Sequence, residues 1–165
     1  MSRLDSFIRR MSAQRDILDA LPRRLAGVPG LVMEFGLGSA RTYDHLRERF
    51  PGRRIVVFES VVVEAVRPRP APDDFVVGDL PGTAAAWPDG CAALVHADIE
   101  TGDAAADAAL RDWLPALAAR LLAPGGFAVS GAPLPHPRLV AEPLPPGVAE
   151  GRYHVLRRDQ RSFGG

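Results

Sequence analysis

Lysine and asparagine are both absent from this 165-residue chain, and all 20 basic residues are arginine. We read the bias as GC-rich coding, because Lys and Asn codons are AT-rich. Its chemical consequence is that no lysine Schiff base and no phosphate-loop lysine can operate here. Cysteine is nearly absent too. Cys91 stands alone, which excludes an internal disulfide framework and a cysteine-built zinc or iron–sulfur centre, and no metal is expected. No apolar run approaches the ~20 residues needed to span a bilayer. The opening Met1-Ser2-Arg3-Leu4-Asp5 lacks the apolar stretch of a secretory signal, so a cytoplasmic protein without membrane contact is expected. Excess charge is missing as well, since 20 acidic residues balance the arginines. Without a net positive field, nucleic acid is disfavoured as a partner.

What is present is a globular balance, 47% hydrophobic and 24% charged, which argues against disorder. The length predicts one domain over residues 1–165. Leu4, Phe7, Ile8, Met11, Ile17, Leu18, Leu21 and Leu25 recur at three- and four-residue steps. They predict an amphipathic helix over about 3–26, ended by Gly27-Val28-Pro29-Gly30. A core over 31–158 then alternates short apolar runs with helical segments. The runs 31–35 and 55–58 read as buried strands, and 75–77, 92–97 and 127–130 as further strands. Helices are predicted over 42–50 and after Asp103, the latter with Leu110, Trp113, Leu114, Leu117 and Leu121 inward. Runs 139–141 and 153–156 read as two further strands, and Ser162 to Gly165 as a frayed end. Continuous apolar strands alternating with helices predict an α/β fold, a mainly parallel sheet covered on both faces. The stretch from Arg67 to Pro72 is too proline-broken for a long helix. Gly131 to Arg138 is too short for a parallel crossover, so the C-terminal strands are expected as an antiparallel meander.

In open α/β sheets ligands bind beyond the carboxyl ends of the strands. The first strand ends in Glu34-Phe35-Gly36-Leu37-Gly38-Ser39-Ala40, the second in Glu59-Ser60, the third in Asp79-Leu80 and the fourth in Asp98. Four strands in succession thus deliver a carboxylate to one edge. A dinucleotide fingerprint would put its third small residue where Arg41 stands. Glu34 beside the loop would repel a pyrophosphate and attract an ammonium or sulfonium. Glu59 follows Ala40 by 19 residues, close to the ~20 expected for an acid that binds ribose hydroxyls. Asp79 can accept from an adenine amine. The ligand implied carries an amino-acid end, a ribose and an adenine.

These segments, with Leu122-Ala123-Pro124-Gly125-Gly126, resemble in order and spacing the motifs of class I S-adenosylmethionine-dependent methyltransferases. Gly36 to Glu48 and Ser2 to Arg10 are similar to a small bacterial S-adenosylmethionine methyltransferase family of unknown substrate. The resemblance implies a Rossmann-like fold with an N-terminal helix. It implies S-adenosyl-L-methionine as cofactor and S-adenosyl-L-homocysteine as product. The methionine end would lie on Glu34, Phe35, Gly36, Leu37, Gly38, Ser39, Ala40, Arg41 and Thr42. Glu59 and Ser60 would hold the ribose, and Asp79 and Leu80 the adenine. Asp98 would face the methyl donor or acceptor, with Asp98 and His96 the candidate catalytic bases.

The same residues admit plainer roles. Asp79 can be a turn residue, Asp98 a loop acid and His96 a packed strand histidine. Arg9-Arg10 and Arg23-Arg24 can be solvated helix faces. Both the proline-rich segment and the short late connection remove cover from the acceptor side. The pocket is then open, completed by the N-terminal helix, or completed by a second copy, and a homo-oligomer, with a dimer favoured, is expected. The acceptor is expected to be a small molecule. The alternative is a non-catalytic protein that binds S-adenosylmethionine or its demethylated product without turnover.

Overall fold

Ser2 opens the first helix with a capping box: its hydroxyl accepts from the Asp5 N–H at 3.0 Å, and the Asp5 carboxylate accepts from the Ser2 N–H at 3.0 Å. Helix α1 runs Arg3–Arg24. The second half of its apolar stripe, Ile17, Leu18 and Leu21, is fully buried, whereas Leu4, Phe7 and Ile8 are exposed. The helix therefore docks by its second half and carries its first half past the sheet. These are features of a computed structural model, which describes residues 2–62 and 64–160. The expected frayed end, Ser162 to Gly165, lies outside the described residues.

Seven strands form one sheet: β1 Leu31–Phe35, β2 Ile55–Glu59, β3 Phe75–Val77, β4 Ala92–Ala97, β5 Leu122–Ser130, β6 Leu139–Ala141 and β7 His154–Arg158. Their order is β3-β2-β1-β4-β5-β7-β6. The first five are parallel and β7 runs antiparallel to both neighbours. Three more helices, α2 Arg41–Arg49, α3 Leu80–Ala85 and α4 Ala104–Leu121, complete the layers. Because side chains alternate along a strand, Val32, Val57, Leu94 and Val129 face α1 and α2 in one core. Met33, Val56, Val95 and Ala128 face α3 and α4 in the other. Each such Val, Leu or Met side chain contributes about 1.5–3 kcal/mol of burial.

The expected α/β architecture and every expected strand are present, with three differences. Helix α3 was not anticipated; its six residues carry no apolar period, and it forms because Asp79 caps it, accepting from the Gly82 N–H at 2.9 Å. Strand β5 starts at Leu122, five residues early, because Pro124-Gly125-Gly126 continues the extended chain instead of turning it. The late strands are antiparallel but not a meander, since β7 inserts between β5 and β6. Among the described residues between β2 and β3 the only helical element is the short 3-10 turn Pro72–Asp74, as the prolines require. The strand order reverses between β1 and β4, which opens a crevice at their carboxyl ends.

Candidate functional site

The chain leaves β1 through a turn that only a few conformations allow. Gly36 has φ +86° and its N–H donates to the Phe58 carbonyl at 2.8 Å. A Cβ there would meet Ile99 Cγ2 at 2.7 Å, whereas a Cβ at Gly38, φ +50°, would meet nothing within 4 Å. Ala40 enters α2 at φ +60° without a side-chain cap, a left-handed conformation costing about 1–2 kcal/mol in a non-glycine residue. Glu59, at the end of β2, holds this turn in place. Its Oε2 accepts from the Leu37 N–H at 2.8 Å and the Gly38 N–H at 3.2 Å. Its Oε1 accepts from the Ser60 N–H at 2.8 Å. One carboxylate thus ties the turn after β1 to the turn after β2.

A polar chain runs beneath α1. Glu34 and His96 are register partners on β1 and β4, so both side chains point toward α1. The Glu34 carboxylate lies 2.7 Å from His96 Nδ1, and the two residues are 2% and 0% exposed. Gln14 Nε2 lies 3.1 Å from His96 Nε2 and 3.3 Å from Asp98 Oδ2. Arg10, one turn earlier on α1, donates to the same Asp98 oxygen at 2.5 Å. The Tyr153 hydroxyl is buried next to Arg10 and Asp98. Burial holds the Glu34 pKa above the usual carboxylate value, and His96 offsets only part of that. For His96, burial opposes the charged ring, but the Glu34 charge and hydrogen bond together outweigh it, so its pKa is raised. Burial, and then the Asp98 charge, raise the Tyr153 pKa.

Above this chain lies a cleft of about 420 Å³, within the range of small-ligand sites. Glu34, Gly36, Leu37, Gly38, Ser39, Arg41, Thr42, Glu59, Ser60, Leu80 and Asp98 line it. Four expected site residues do not. Phe35 packs edge-on against Phe58 in the opposite core, with ring centroids 5.2 Å apart. Ala40 is buried under the loop. The Asp79 side chain caps α3, and His96 is sealed with both ring nitrogens engaged. Arg10, expected from the sequence on a solvated helix face, and Gln14, not singled out there, both line the cleft. The signal was there for Gln14, a lone polar residue on an apolar stripe between Met11 and Leu18. A second cavity of about 330 Å³ adjoins the cleft and shares Phe7, Met11, Gln14, Arg41 and Thr42 with it. No group of histidine, cysteine and acidic side chains suited to a metal occurs among the described residues, and no described helix is long and apolar enough to cross a membrane.

Comparison with known proteins adds to this geometry. A family model described as S-adenosyl-L-methionine methyltransferase matches residues 1–158. An S-adenosyl-L-methionine methyl transferase from Silicibacter pomeroyi is similar at 39% identity, covering 96% of this chain and 99% of that one, with a TM-score of 0.87. An O-methyltransferase family protein from Burkholderia thailandensis, 14% identical, covers 97% of this chain and 59% of its own, with a TM-score of 0.56. A probable spermidine synthase from Corynebacterium glutamicum, 15% identical over 93% of this chain and 65% of its own, also has a TM-score of 0.56. The last two show likeness of fold alone. No curated protein matches the sequence significantly.

Proposed function

This chain belongs to the S-adenosyl-L-methionine methyltransferase family, and from that premise we propose that it methylates a small molecule in the cleft beyond β1 and β4. When bound, the donor supplies a sulfonium methyl already activated for attack, and S-adenosyl-L-homocysteine is left as product. The observation that carries the reading is the convergence of the glycine turn and Glu59 on one cleft, with open space in front of Gly38.

The residues fit the donor. Gly36 to Thr42 let backbone approach the methionine end closely, and the Arg41 guanidinium at the start of α2 suits its carboxylate. Glu34 and Asp98 give the cleft floor the negative charge that an ammonium needs. Glu59 retains lone pairs for ribose hydroxyls beyond those the loop uses. Leu80 offers an apolar wall to the adenine, while the Asp79 side chain caps the helix behind it. The chain's remaining task is to hold donor and acceptor in line and exclude water. If the acceptor carries a proton, the base is Asp98, because His96 has no open path to the cleft. The apolar neighbouring cavity, entered past Phe7 and Met11, gives a small acceptor room.

A second reading, donor binding without turnover, draws on one feature: the Asp98 oxygen nearest α1 is already committed to Arg10 and Gln14. We also infer a homodimer, because Leu4, Phe7 and Ile8 leave an apolar stripe of α1 exposed beside the acceptor side. Calorimetry with S-adenosyl-L-methionine, S-adenosyl-L-homocysteine and NAD tests the donor, and tight binding of NAD alone would sink the reading. A labelled-methyl screen against small-molecule pools then separates turnover from binding.

A further inference from the structure

Gln14 is 5% exposed, and its amide is placed where a buried polar group must be satisfied on all sides. We propose that Gln14 is a positioning residue of the methyl-transfer site, whose side-chain amide ties the buried Glu34–His96 pair to the placement of Asp98 at the cleft. The proposal rests on the donor assignment above and extends it to a residue of α1.

The hydrogen bonds have a single consistent direction. An amide NH₂ carries two hydrogens, and Gln14 Nε2 has two acceptors within reach, Asp98 Oδ2 at 3.3 Å and His96 Nε2 at 3.1 Å. His96 Nε2 must then be the bare nitrogen and Nδ1 the protonated one, donating to Glu34 at 2.7 Å. Protonation of His96 at Nε2 breaks this pattern. Gln14 must turn its oxygen toward the ring, and that oxygen then faces Asp98 Oδ2, acceptor against acceptor. Asp98 Oδ2 then keeps Arg10, at 2.5 Å. Thus a proton gained in the sealed pair is felt as a lost donor at the cleft, and among the described residues Gln14 is the hydrogen-bonded link that carries it there. The charged and titratable groups facing the ring and the amide are Glu34 from β1, Asp98 from the end of β4, Arg10 from α1 and Tyr153 from the start of β7.

The test has two arms. In the first, S-adenosyl-L-homocysteine binding is measured by calorimetry for wild type, Gln14→Leu, Asp98→Asn and the double variant, with melting temperatures as a check on folding. Each single change should weaken binding about tenfold, the effect of one hydrogen bond to a charged group. The double variant should be no weaker than the worse single one, because Gln14 acts through Asp98. Independent losses, multiplying to about a hundredfold, would overturn the proposal, since a merely structural Gln14 gives that result. The second arm needs no ligand. Long-range ¹H–¹⁵N spectra, with His96 assigned by its loss in His96→Asn, should show the neutral ring protonated at Nδ1. Gln14→Glu, which keeps size and polarity, should hold the proton on His96 to higher pH by offering a carboxylate to Nε2. A neutral ring protonated at Nε2, or an unmoved titration in Gln14→Glu, overturns the proposal whatever the first arm shows. If the wild type binds no methionine-derived ligand, the donor assignment falls, and the spectra still decide whether Gln14 orients the pair.

Discussion

Gly36 and Gly38 sit two residues apart and fail in different ways. At Gly36, φ +86° and Ile99 Cγ2 at 2.7 Å leave no room for a side chain, so Gly36→Val should lower the melting temperature as well as abolish donor binding. At Gly38 nothing stands within 4 Å, but φ +50° strains any side chain, so Gly38→Val should fold with a smaller loss of melting temperature than Gly36→Val and still lose binding, because its side chain occupies the donor's place. Thermal melts beside calorimetry distinguish the two. Retained binding in Gly38→Val would move the donor out of this cleft. Glu59→Ala removes both a ribose partner and the tie on the Leu37 and Gly38 amides. Binding should weaken by about 1.5–3 kcal/mol, the range for hydrogen bonds to a charged group. Wild-type affinity in that variant would refute the role. Glu34, Gly36, Glu59 and Asp98 were legible because each stands at a strand end in a fixed spacing. Arg10 was not, because its partner lies 88 residues away, and no local pattern distinguishes an arginine reaching a cleft from one reaching water.

At the scale of elements, α1 is fastened at both ends of its buried half. Arg10 and Gln14 hold it to β4, and Arg24 pairs with Glu142, which also accepts from Arg157 of β7 at 2.7 Å. Burial works against the Glu142 charge, but Arg157 and Arg24 outweigh it and lower its pKa from the ordinary 4.5. The folded-state value lies below the unfolded one, so the stabilisation is fully present above about pH 4.5 and is lost as pH falls through the lower folded value. Glu142→Gln should therefore reduce the melting temperature at neutral pH, and the difference from wild type should shrink as the solution is acidified below pH 4.5. A constant difference across that range would show that the pair's charge is not what holds α1 to β7. The central strands were read well because β1, β2 and β4 are short runs of buried, mostly apolar residues. Helix α3 was missed because a cap and two flanking turns, not a hydrophobic period, create it.

For the whole molecule, the sheet's two outer strands, β3 and β6, have three residues each, short enough to resist pairing with another sheet. Dimerisation should therefore run through the exposed half of α1 and not through a sheet edge. Light scattering should report a dimer in wild type and a monomer in a Leu4→Glu, Ile8→Glu variant. A wild-type monomer at high concentration would refute the inferred assembly. The strand order could not be read from sequence, because antiparallel strands joined by loops of similar length fit either a meander or an insertion. That insertion bears on how the protein is made. Translation delivers β6 before β7, yet in the sheet β6 has no hydrogen-bonded neighbour except β7. On the ribosome the nascent chain can complete five parallel strands and must then wait, with the β5 edge bare, until synthesis has passed Arg158. A stalled or prematurely released chain is thus born with an open sheet edge on offer, a natural substrate for chaperones and proteases.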